Sequence, residues 1–392
     1  MKILNQRQSS RDGSTRQRVT GARRRPPAIR EASFEDWEKI SNLQVRHGMA
    51  PRSRSEWQAL WTENPAYQEW GHRTPIAWVL ENEDHDIVGS ISNIPFSYRF
   101  RRRLIHVVAA CGWVVDPAYR GYSLLLHERL SRQQDVHLAL TTTASAGAAA
   151  VFDNVFHWSK PPVGIWNRSA FWITDYPGFA AIALKARSIP FAPAAAYPAA
   201  AALFLRDKYR GLRDGAQAPP FGFELRTAFD SRFDDFWAEL AAGKEHLLFA
   251  VRDRPTLEWH FRHFNDGQLG WILTAMDGSR MVAYAIVDRQ DKPTIGLRRA
   301  RIIDFQALTG YEGIIRPALA WMLRKCRMEG THILENVGCW LEAPGLPPIP
   351  APHHRTLPSW MFYYKSNDGA LAEALTDATA WAPSSFDGDV SL

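Results

Sequence analysis

The chain has few cysteines and no long apolar run. Its 392 residues include only three cysteines, at Cys111, Cys326 and Cys339. An odd number at uneven spacing provides no disulfide framework and no zinc motif, which is typical of a reducing cytoplasm. Lys185, Arg187 and several prolines interrupt the Ala-rich residues 176–217 before any apolar run reaches the ~20 residues that span a bilayer. We therefore expect a cytoplasmic protein without a disulfide, a metal ion or a transmembrane segment.

Acidic residues are nearly absent from the start of the chain. Residues 1–30 contain nine Lys or Arg and a single Asp, a net charge of +8, whereas the whole chain carries +6. The rest of the chain is therefore close to neutral. Residues 1–26 are also poor in apolar side chains and are predicted to form a disordered basic arm. Such an arm can contact nucleic acid or an anionic surface, but a solvated arm is favoured, and nucleic acid is not expected to bind the folded part.

Apolar periodicity predicts an alternation of strands and helices before residue 175. The predicted order is a strand at 27–33, helices at 34–46 and 53–61, hairpin strands at 76–80 and 87–91, a hairpin turning at 99–103 into a strand that ends at 115, a helix after 122, a strand at 136–142, a helix at 147–156 and a closing strand at 166–173. This order indicates a mixed, mostly antiparallel sheet with helices on its faces.

The segment Val114–Leu126 carries the strongest functional signal in the chain. A β-branched strand ends at Asp116-Pro117, an Arg120-Gly121 turn follows, and an amphipathic helix begins shortly after it. The first amides of a helix have no intrahelical acceptor and lie at the positive end of the helix dipole, so they form a site for phosphate oxygens. An ordinary strand–loop–helix connection remains the alternative interpretation.

This segment resembles the pyrophosphate-binding segment of the GNAT N-acyltransferase superfamily, and the order of elements resembles a GNAT domain. The family pattern is Gln/Arg, two free positions, Gly, one free position and Gly/Ala; Arg120 matches it, and Ser123 and Leu125 stand at the two glycine positions. The resemblance implies that acetyl-CoA, or another acyl-CoA, is the co-substrate. It also implies that the donor is bound by Val114, Val115, Arg120, Gly121, Tyr122, Ser123 and Leu124.

The same order of elements recurs about 190 to 200 residues later, which indicates an internal repeat. Helix residues 255–261, hairpin strands at 269–274 and 281–286, a strand at 301–306, a helix at 314–327 and a strand at 331–335 correspond to elements of the first half. The turn Ala307–Gly313 of this copy lacks a basic residue before a tight glycine loop. If one half binds the donor, the first is therefore favoured.

These patterns predict an α/β (α+β) fold with two GNAT-like domains, each a mixed, mostly antiparallel sheet flanked by helices. The expected division is a disordered basic arm at 1–26, an acyl-CoA-binding domain at 27–175, an Ala/Pro-rich helical connector at 176–217, a second, degenerate domain at 218–375 and a tail at 376–392. Within this tail, residues 381–392 are expected to be disordered. The oligomeric state stays open.

The catalytic residues are not identified by the pattern. The resemblance implies a carboxylate base on the motif strand and a tyrosine acid on a later helix, but Cys111 and Phe152 occupy those positions. Tyr98, Asp153 and His157 are weak catalytic candidates, and each is more often a packing or surface residue.

Other polar residues are given structural roles. Asp304 has apolar neighbours on its strand, so it lies at a cleft or in a pair, and we favour a structural pair. His353 and His354 have no cysteine or carboxylate at ligand spacing, so neither is expected to bind a metal.

The resemblance predicts an acyl-CoA-dependent N-acyltransferase, in the simplest case an acetyltransferase. Its acceptor would be an amine of a small molecule, an amino sugar or a peptide lying between the two halves. One alternative is a transferase of cell-wall or exopolysaccharide assembly, including Fem-type enzymes that use aminoacyl-tRNA. Another is a degenerate GNAT fold that binds a ligand without catalysis.

Overall fold

The computed structural model describes residues 25–71, 74–189, 192–209, 221–266, 270–342, 346–347 and 349–392. The predicted basic arm, apart from its last two residues, therefore lies outside the described residues. The same holds for positions 190–191 and 210–217 of the predicted connector.

The first half of the chain alternates strands and helices. Its elements are β1 (Ala28–Glu31), α1 (Trp37–Arg46), α2 (Arg54–Thr62), α3 (Pro65–Trp70), β2 (Ala77–Glu81), β3 (Ile87–Phe100), β4 (Arg103–Val115), α4 (Ser123–Ser131), β5 (Leu138–Ala144), α5 (Ala146–Val151), β6 (Arg168–Ile173), α6 (Tyr176–Lys185) and α7 (Ala192–Tyr209). Short 3₁₀ turns lie at Phe34–Asp36 and Pro117–Tyr122, and a π turn at Phe152–Phe156 follows α5.

The second half repeats much of this order. Its elements are β7 (Gly222–Arg226), α8 (Arg232–Gly243), β8 (Phe249–Ala250), α9 (Arg254–His260), β9 (Gly270–Asp277), β10 (Arg280–Arg289), β11 (Arg299–Ala307), α10 (Ile315–Met328), β12 (Ile333–Val337), β13 (His353–Thr356), β14 (Met361–Ser366) and α11 (Gly369–Ala374). The repeat predicted from the sequence is confirmed at the level of secondary structure.

Local sequence explains where helices begin. Ser53 caps α2: its hydroxyl accepts the Glu56 amide, and its own amide donates to the Glu56 carboxylate over 2.9 Å. This capping box satisfies two backbone groups that would otherwise lack partners. The apolar residues Ile40 and Leu43 lie on one face of α1, as the periodicity predicts, and both are buried.

Two seven-stranded sheets form the framework. The first has the order β1-β2-β3-β4-β5-β14, with β8 added beside β3, and the second has the order β13-β6-β12-β11-β10-β9-β7. All pairings are antiparallel except β4–β5 in the first sheet and β11–β12 in the second. The fold class predicted from the sequence, two mixed, mostly antiparallel sheets flanked by helices, is confirmed.

The two halves exchange their last strands. The predicted closing strand of the first half, β6, pairs instead with β12 and β13 in the second sheet, with Trp172 opposite Leu334. In return β14, from the second half, pairs with β5 in the first sheet. The expectation that residues 166–173 close the first sheet is therefore wrong. An alternating pattern defines the two faces of a strand but not the sheet in which it finds its neighbours.

The end of the chain is not a disordered tail. Ser384, Phe386 and Asp387 are buried, and Phe386 belongs to the same apolar cluster as Trp61 of the first half and Trp259 of the second. The expected disorder of residues 381–392 is thus wrong over this stretch, because a large aromatic side chain and several hydrogen bonds anchor it between the halves.

The Ala/Pro-rich connector packs as a helical hairpin. Ala180 of α6 contacts Ala196 and Ala200 of α7 in a small apolar cluster. The Tyr176 hydroxyl donates to the buried Asp207 carboxylate over 3.0 Å, which joins the start of α6 to the end of α7. The described residues of the predicted connector thus form two helices that pack against each other. Among these residues no helix combines the length and apolarity needed to cross a bilayer.

A buried ion pair links the second sheet to the segment after β8, a strand of the second half that pairs with β3 in the first sheet. Arg252, which follows β8, lies 2.8 Å from Asp304 of β11, and both side chains are fully buried. The same guanidinium donates to the Ser384 hydroxyl over 3.2 Å and lies over the Phe386 ring. Burial opposes ionisation of the Asp304 carboxyl, but the attraction of Arg252 and several hydrogen bonds hold its pKa below the usual value.

Replacing Arg252 by Met should lower the free energy of unfolding by about 3–5 kcal/mol, since it leaves a buried carboxylate without its counter-charge. Arg254→Met is a matched control two residues away, because Arg254 pairs with Asp234 in an exposed ion pair. Its loss should cost about 0–1 kcal/mol. Denaturant unfolding measures both values, and equal losses would contradict a structural role for the buried pair.

Candidate functional site

The two parallel central strands of the first sheet separate towards one end. β4 and β5 pair only from Val107 opposite Leu138 to Ala109 opposite Leu140. β4 continues to Val115, still paired with β3 on its other side. Beyond Ala109 one edge of β4 therefore has backbone groups with no strand partner, which can pair with an extended ligand.

A bulge lies in β4 within this splayed region. Its register with β3 shifts between Cys111 and Val114, so that β4 contains one extra residue. Gly112 has φ +64°, a conformation that L side chains rarely adopt. The bulge changes which face its neighbours present. Trp113 packs on the side of α4, where its ring meets the buried His127 ring edge-on at 4.2 Å between centroids.

The turn after β4 is anchored at its first residue. The Asp116 carboxylate lies 3.0 Å from Arg46 and 2.9 Å from His47, both at the end of α1. The 3₁₀ turn Pro117–Tyr122 then runs directly into α4. Its hydrogen bonds occupy the amides of Tyr119 and Ser123. The prediction that the amides at the start of this helix are free is thus wrong for these two groups, because a 3₁₀ turn satisfies them internally.

The side chains predicted to bind the donor lie on consecutive parts of this strand–turn–helix. Val114 and Val115 are buried, whereas Arg120 and Gly121 are exposed. Tyr122, Ser123 and Leu124 are partly exposed at the start of α4. The Arg120 guanidinium has no ion pair or hydrogen bond with any residue that the structure describes. Their role in donor binding remains a prediction.

Leu125, at a glycine position of the family pattern, is directed outward. Its side chain is 39% exposed, while Leu126 next to it enters the core. A Cβ atom placed on Gly121 would meet nothing within 4 Å, so there is open space beside this residue of the turn.

A carboxylate from the C-terminal segment reaches the splayed region. Asp389 accepts hydrogen bonds from the Thr142 hydroxyl at 2.6 Å and the Thr143 hydroxyl at 3.0 Å, both on β5. It also lies beside Cys111 of β4, where burial and the Asp389 charge raise the pKa of the thiol to about 12. Burial raises the pKa of Asp389 itself, and the two threonine hydroxyls partly offset this effect. The sequence placed Asp389 in a disordered tail and so missed it.

Gly388 allows this approach. Its φ is +68°, and a Cβ atom there would lie 2.6 Å from the side chain of Thr142. The segment comes from the face of the sheet opposite α4, since Phe386 packs in the core cluster on that side while Leu126 and Leu130 of α4 pack in another. The Asp389 carboxylate and the helix α4 thus flank the splayed region from its two faces.

The three catalytic candidates from the sequence are not brought together. Tyr98 is buried and donates to Asp387 over 2.7 Å, and burial with the Asp387 charge holds its pKa well above the usual value. Asp153 forms an ion pair with Lys160 at 3.0 Å. His157 is exposed and has φ +51° at the end of the π turn. No common site contains them.

A tyrosine side chain lies beside Phe152, which occupies the helix position where the resemblance implies a tyrosine. Phe152 is buried and stacks on Tyr363 of β14, with ring centroids 5.0 Å apart. The Tyr363 hydroxyl donates to Asp153 over 3.1 Å, and Lys160 lies over its ring. Because Tyr363 arrives on the exchanged strand, nothing in the sequence near Phe152 indicates it.

In the second half the two parallel strands also separate and a bulge also occurs, but buried side chains occupy the space between them. β11 and β12 pair only from Arg299 to Arg301, and the register of β11 shifts beside Asp304. Asp304 is enclosed by Arg252, Ser384, Tyr284 and Gln306, each within hydrogen-bond distance. The structural pair favoured for Asp304 from the sequence is confirmed.

A cavity of about 570 Å³ lies between α2 of the first half and the end of α9 in the second. Its charged and polar lining comprises Arg52, Ser55, Glu56, Glu63, His260, Arg262, His263, Asp288, Gln290 and Ser391. The His260 Nε2 atom lies 2.7 Å from the Ser391 hydroxyl, and its Nδ1 atom is buried without a hydrogen-bond partner among the described residues. Burial holds the pKa of His260 well below its usual value, so the ring is neutral.

Cys339, Glu342 and His354 meet at the end of β12, although their sequence spacing does not suggest it. Each offers one ligand atom, and these atoms lie within 4.8 Å of one another. His354 Nε2 already lies 2.7 Å from Glu342, and burial raises the pKa of Cys339 to about 12. His354 therefore has a cysteine and a carboxylate near it in space, although none stands at ligand spacing in the sequence, because β6 pairs with both β12 and β13. The absence of a metal site remains a prediction.

The three thiols should react slowly in the folded protein. The pKa is raised to about 12 for Cys111, Cys326 and Cys339 alike, mainly by burial, so almost no thiolate exists at neutral pH. A chromogenic disulfide reagent should therefore modify the native protein slowly, at a rate that keeps increasing with pH. The unfolded protein should release three equivalents quickly, and fast modification of a native thiol at neutral pH would contradict the raised values.

Comparison with known proteins identifies similar folds but no similar sequences. No protein-family model matches the chain, and no curated protein matches it in sequence. An *Enterococcus faecalis* V583 structure described as a conserved protein of unknown function, "Probable N-Acyltransferase", aligns with TM-score 0.51 and 11% identity over 86% of this chain and 72% of that chain.

Two other solved structures align at lower scores. A GCN5-related N-acetyltransferase from Kribbella flavida aligns with TM-score 0.49 and 10% identity, over 88% of this chain and 72% of that chain. Saccharomyces cerevisiae N-myristoyltransferase with bound myristoyl-CoA aligns with TM-score 0.49 and 9% identity, over 86% of this chain and 78% of that chain. At such identities the likeness concerns the fold alone. The chain shares the fold of the Enterococcus faecalis structure, and this fold is built from two sheets in tandem.

Proposed function

We propose that the protein is an acyl-CoA-dependent N-acyltransferase whose donor binds to the first half. The observation that carries this proposal is the splay between β4 and β5 beyond Ala109, which leaves a strand edge open next to a strand–turn–helix. The GNAT-like fold and the name of the *Enterococcus faecalis* protein support the same class of reaction. Acetyl-CoA is the simplest donor of this class.

The donor would lie along the open edge of β4. Its pantetheine amides would pair with backbone groups between Cys111 and Val115, as an added strand pairs with a sheet edge. Its diphosphate would reach the turn, where the unpaired Arg120 guanidinium offers charge and hydrogen-bond donors. Because two amides of the turn are already bonded, Arg120 would contribute more to phosphate binding than the backbone does.

Asp389 is the proposed general base. Transfer of an acyl group to an amine requires removal of a proton as the amine attacks the thioester. The Asp389 carboxylate lies beside Cys111, the position at which a strand glutamate was expected, and two threonine hydroxyls orient it. Its raised pKa makes it a stronger base than an exposed aspartate. The leaving thiolate of coenzyme A needs little help from an acid.

The acceptor amine would enter through the cavity between the halves. Three carboxylates line it, Glu56, Glu63 and Asp288, together with the cations Arg52 and Arg262. Mixed charge of this kind suits an acceptor that has an ammonium group and an anionic group. A small molecule, an amino sugar or a peptide satisfies that description.

A GNAT-like module that binds its ligand without catalysis is the second candidate. The 3₁₀ bonds that occupy the amides of Tyr119 and Ser123 favour it, since they weaken the phosphate site. The absence of a tyrosine at Phe152 also favours it. Aminoacyl transfer in cell-wall assembly has no specific support among the described residues.

Acetyl-CoA should raise the melting temperature of the protein by several degrees at saturating concentration, because a ligand of the native state stabilises it by mass action. Arg120→Glu should abolish the shift. Arg129→Glu, an exposed change in the last turn of the same helix, should retain it. Calorimetric titration should give one donor per chain, since Arg252 and Ser384 occupy the corresponding splayed region of the second half. No shift at millimolar donor would count against the proposal.

Asp389→Asn should lower kcat at least 100-fold with any accepted amine, a loss typical of a missing general base, while the donor-dependent thermal shift persists. In the unchanged protein, activity should fall as pH decreases through the raised pKa of Asp389, because the protonated carboxyl cannot accept a proton. The pH profile of kcat/KM measures this decrease in activity. Full activity of Asp389→Asn would assign the base elsewhere, and donor binding with no thiol release across a panel of amines would indicate the binding module.

A further inference from the structure

The α6–α7 hairpin has an apolar outer face. Tyr197, Phe204 and Leu205 of α7 are 73%, 49% and 63% exposed. At 100° per residue, Tyr197, Ala201, Phe204 and Leu205 lie on one side of the helix, and Ala201 is exposed as well. The opposite side of α7, with Ala196, Ala200, Leu203 and Asp207, contacts α6 and the body of the protein. We call the outer side the connector face.

Such a face requires an explanation. Single exposed apolar side chains are ordinary, but contiguous ones on a helix mark a surface that binds something. Tyr209 at the end of α7 is 94% exposed and Ile189, before α7 begins, is 39% exposed. Exposed large apolar groups thus lie near both ends of α7. The 18 residues of this helix are roughly 27 Å long at 1.5 Å per residue.

The charges around the connector face have one sign. Between residues 176 and 209 the sequence contains Lys185, Arg187, Arg206 and Lys208, and its single acid is Asp207. Asp207 is buried and bonds Tyr176 and His353, whereas all four cations are exposed. Every exposed charge of the hairpin is therefore positive.

The cations also lie at the two ends of the face. The hydrogen bond from Tyr176 to Asp207 shows that α6 and α7 run antiparallel. Lys185 and Arg187 consequently lie at the loop end of the hairpin, and Arg206 and Lys208 at the opposite end. An apolar strip with a tyrosine near its end and basic residues at both ends has the chemistry of a helix that lies in the plane of a membrane interface.

We propose that the connector face docks on an anionic lipid surface. The apolar side chains of α7 enter the boundary between headgroups and acyl chains, and the basic ends bind acidic headgroups. The positive charge of residues 1–30, a net +8, adds attraction to the same kind of surface. A protein partner fits less well, because the core of a protein interface is depleted of lysine and the described part of the hairpin has no acidic side chain on its outside. This inference goes beyond the proposed transfer reaction and does not depend on it.

Vesicle co-sedimentation of the full chain tests the proposal. The protein should bind vesicles of phosphatidylcholine mixed with phosphatidylglycerol, and should bind vesicles of phosphatidylcholine alone much more weakly. The double change Phe204→Glu, Leu205→Glu should weaken binding by roughly tenfold or more, since it places charge in the apolar strip. Met328→Glu is the matched control, because Met328 is 80% exposed at the end of α10 and should bind like the unchanged protein. The melting temperatures of all variants verify folding.

Charge reversal gives a second, independent measurement. Lys185→Glu, Arg187→Glu should reduce affinity for anionic vesicles by about fivefold or more per residue and leave the weak binding to phosphatidylcholine unchanged. Removal of residues 1–24 should weaken binding to anionic vesicles but keep its sensitivity to the Phe204 and Leu205 changes. Three results would overturn the proposal: no vesicle binding, binding that depends only on residues 1–24, or a self-associated protein that the Phe204 and Leu205 changes convert to monomer.

Discussion

The structure depends on one topological constraint: each half lends its last strand to the other sheet. Since β6 completes the second sheet and β14 the first, neither sheet is complete without residues from the other half. The chain after β14 must then return between the sheets, where Phe386 joins the common core. The free energy of burying that aromatic side chain stabilises a segment that also carries carboxylates into the interior.

The environments of two buried carboxylates, Asp304 of β11 and Asp389 of the C-terminal segment, distinguish two splayed regions that are otherwise built alike. In the second half, Arg252 neutralises Asp304, and Ser384 completes its hydrogen bonds, so the region behaves as a polar core. In the first half, the partners of Asp389 are the hydroxyls of Thr142 and Thr143 and the neutral Cys111 thiol, and no cation lies within ion-pair distance of it among the described residues. A buried carboxylate without a counter-ion binds protons more readily. The same backbone geometry therefore supports a chemical site in one half and a stabilising pair in the other.

Charge is also divided unevenly over the molecule. The chain beyond residue 30 is nearly neutral, while residues 1–30 and the connector hairpin are positive. The carboxylate of Asp207, the acid within the hairpin, already forms internal hydrogen bonds with Tyr176 and His353. Arg206 lies 3.5 Å from Asp207, whereas Lys185, Arg187 and Lys208 remain available to anionic surroundings. The splayed region and the cavity between the halves have balanced or negative charge.

The sequence by itself determined most helices and strands of the first half, the repeat and the strand–turn–helix with Arg120, because apolar periodicity and capping act over a few residues. It did not indicate β7, α8, β13 or β14. Leu125 stands at a glycine position of the family pattern, and the helix turns its side chain outward. Only the tertiary structure decided which sheet receives β6, that Asp389 lies beside Cys111, and that Tyr363 stacks on Phe152. Each of these contacts joins segments distant in the chain, and local patterns specify the faces of a strand but not its neighbours.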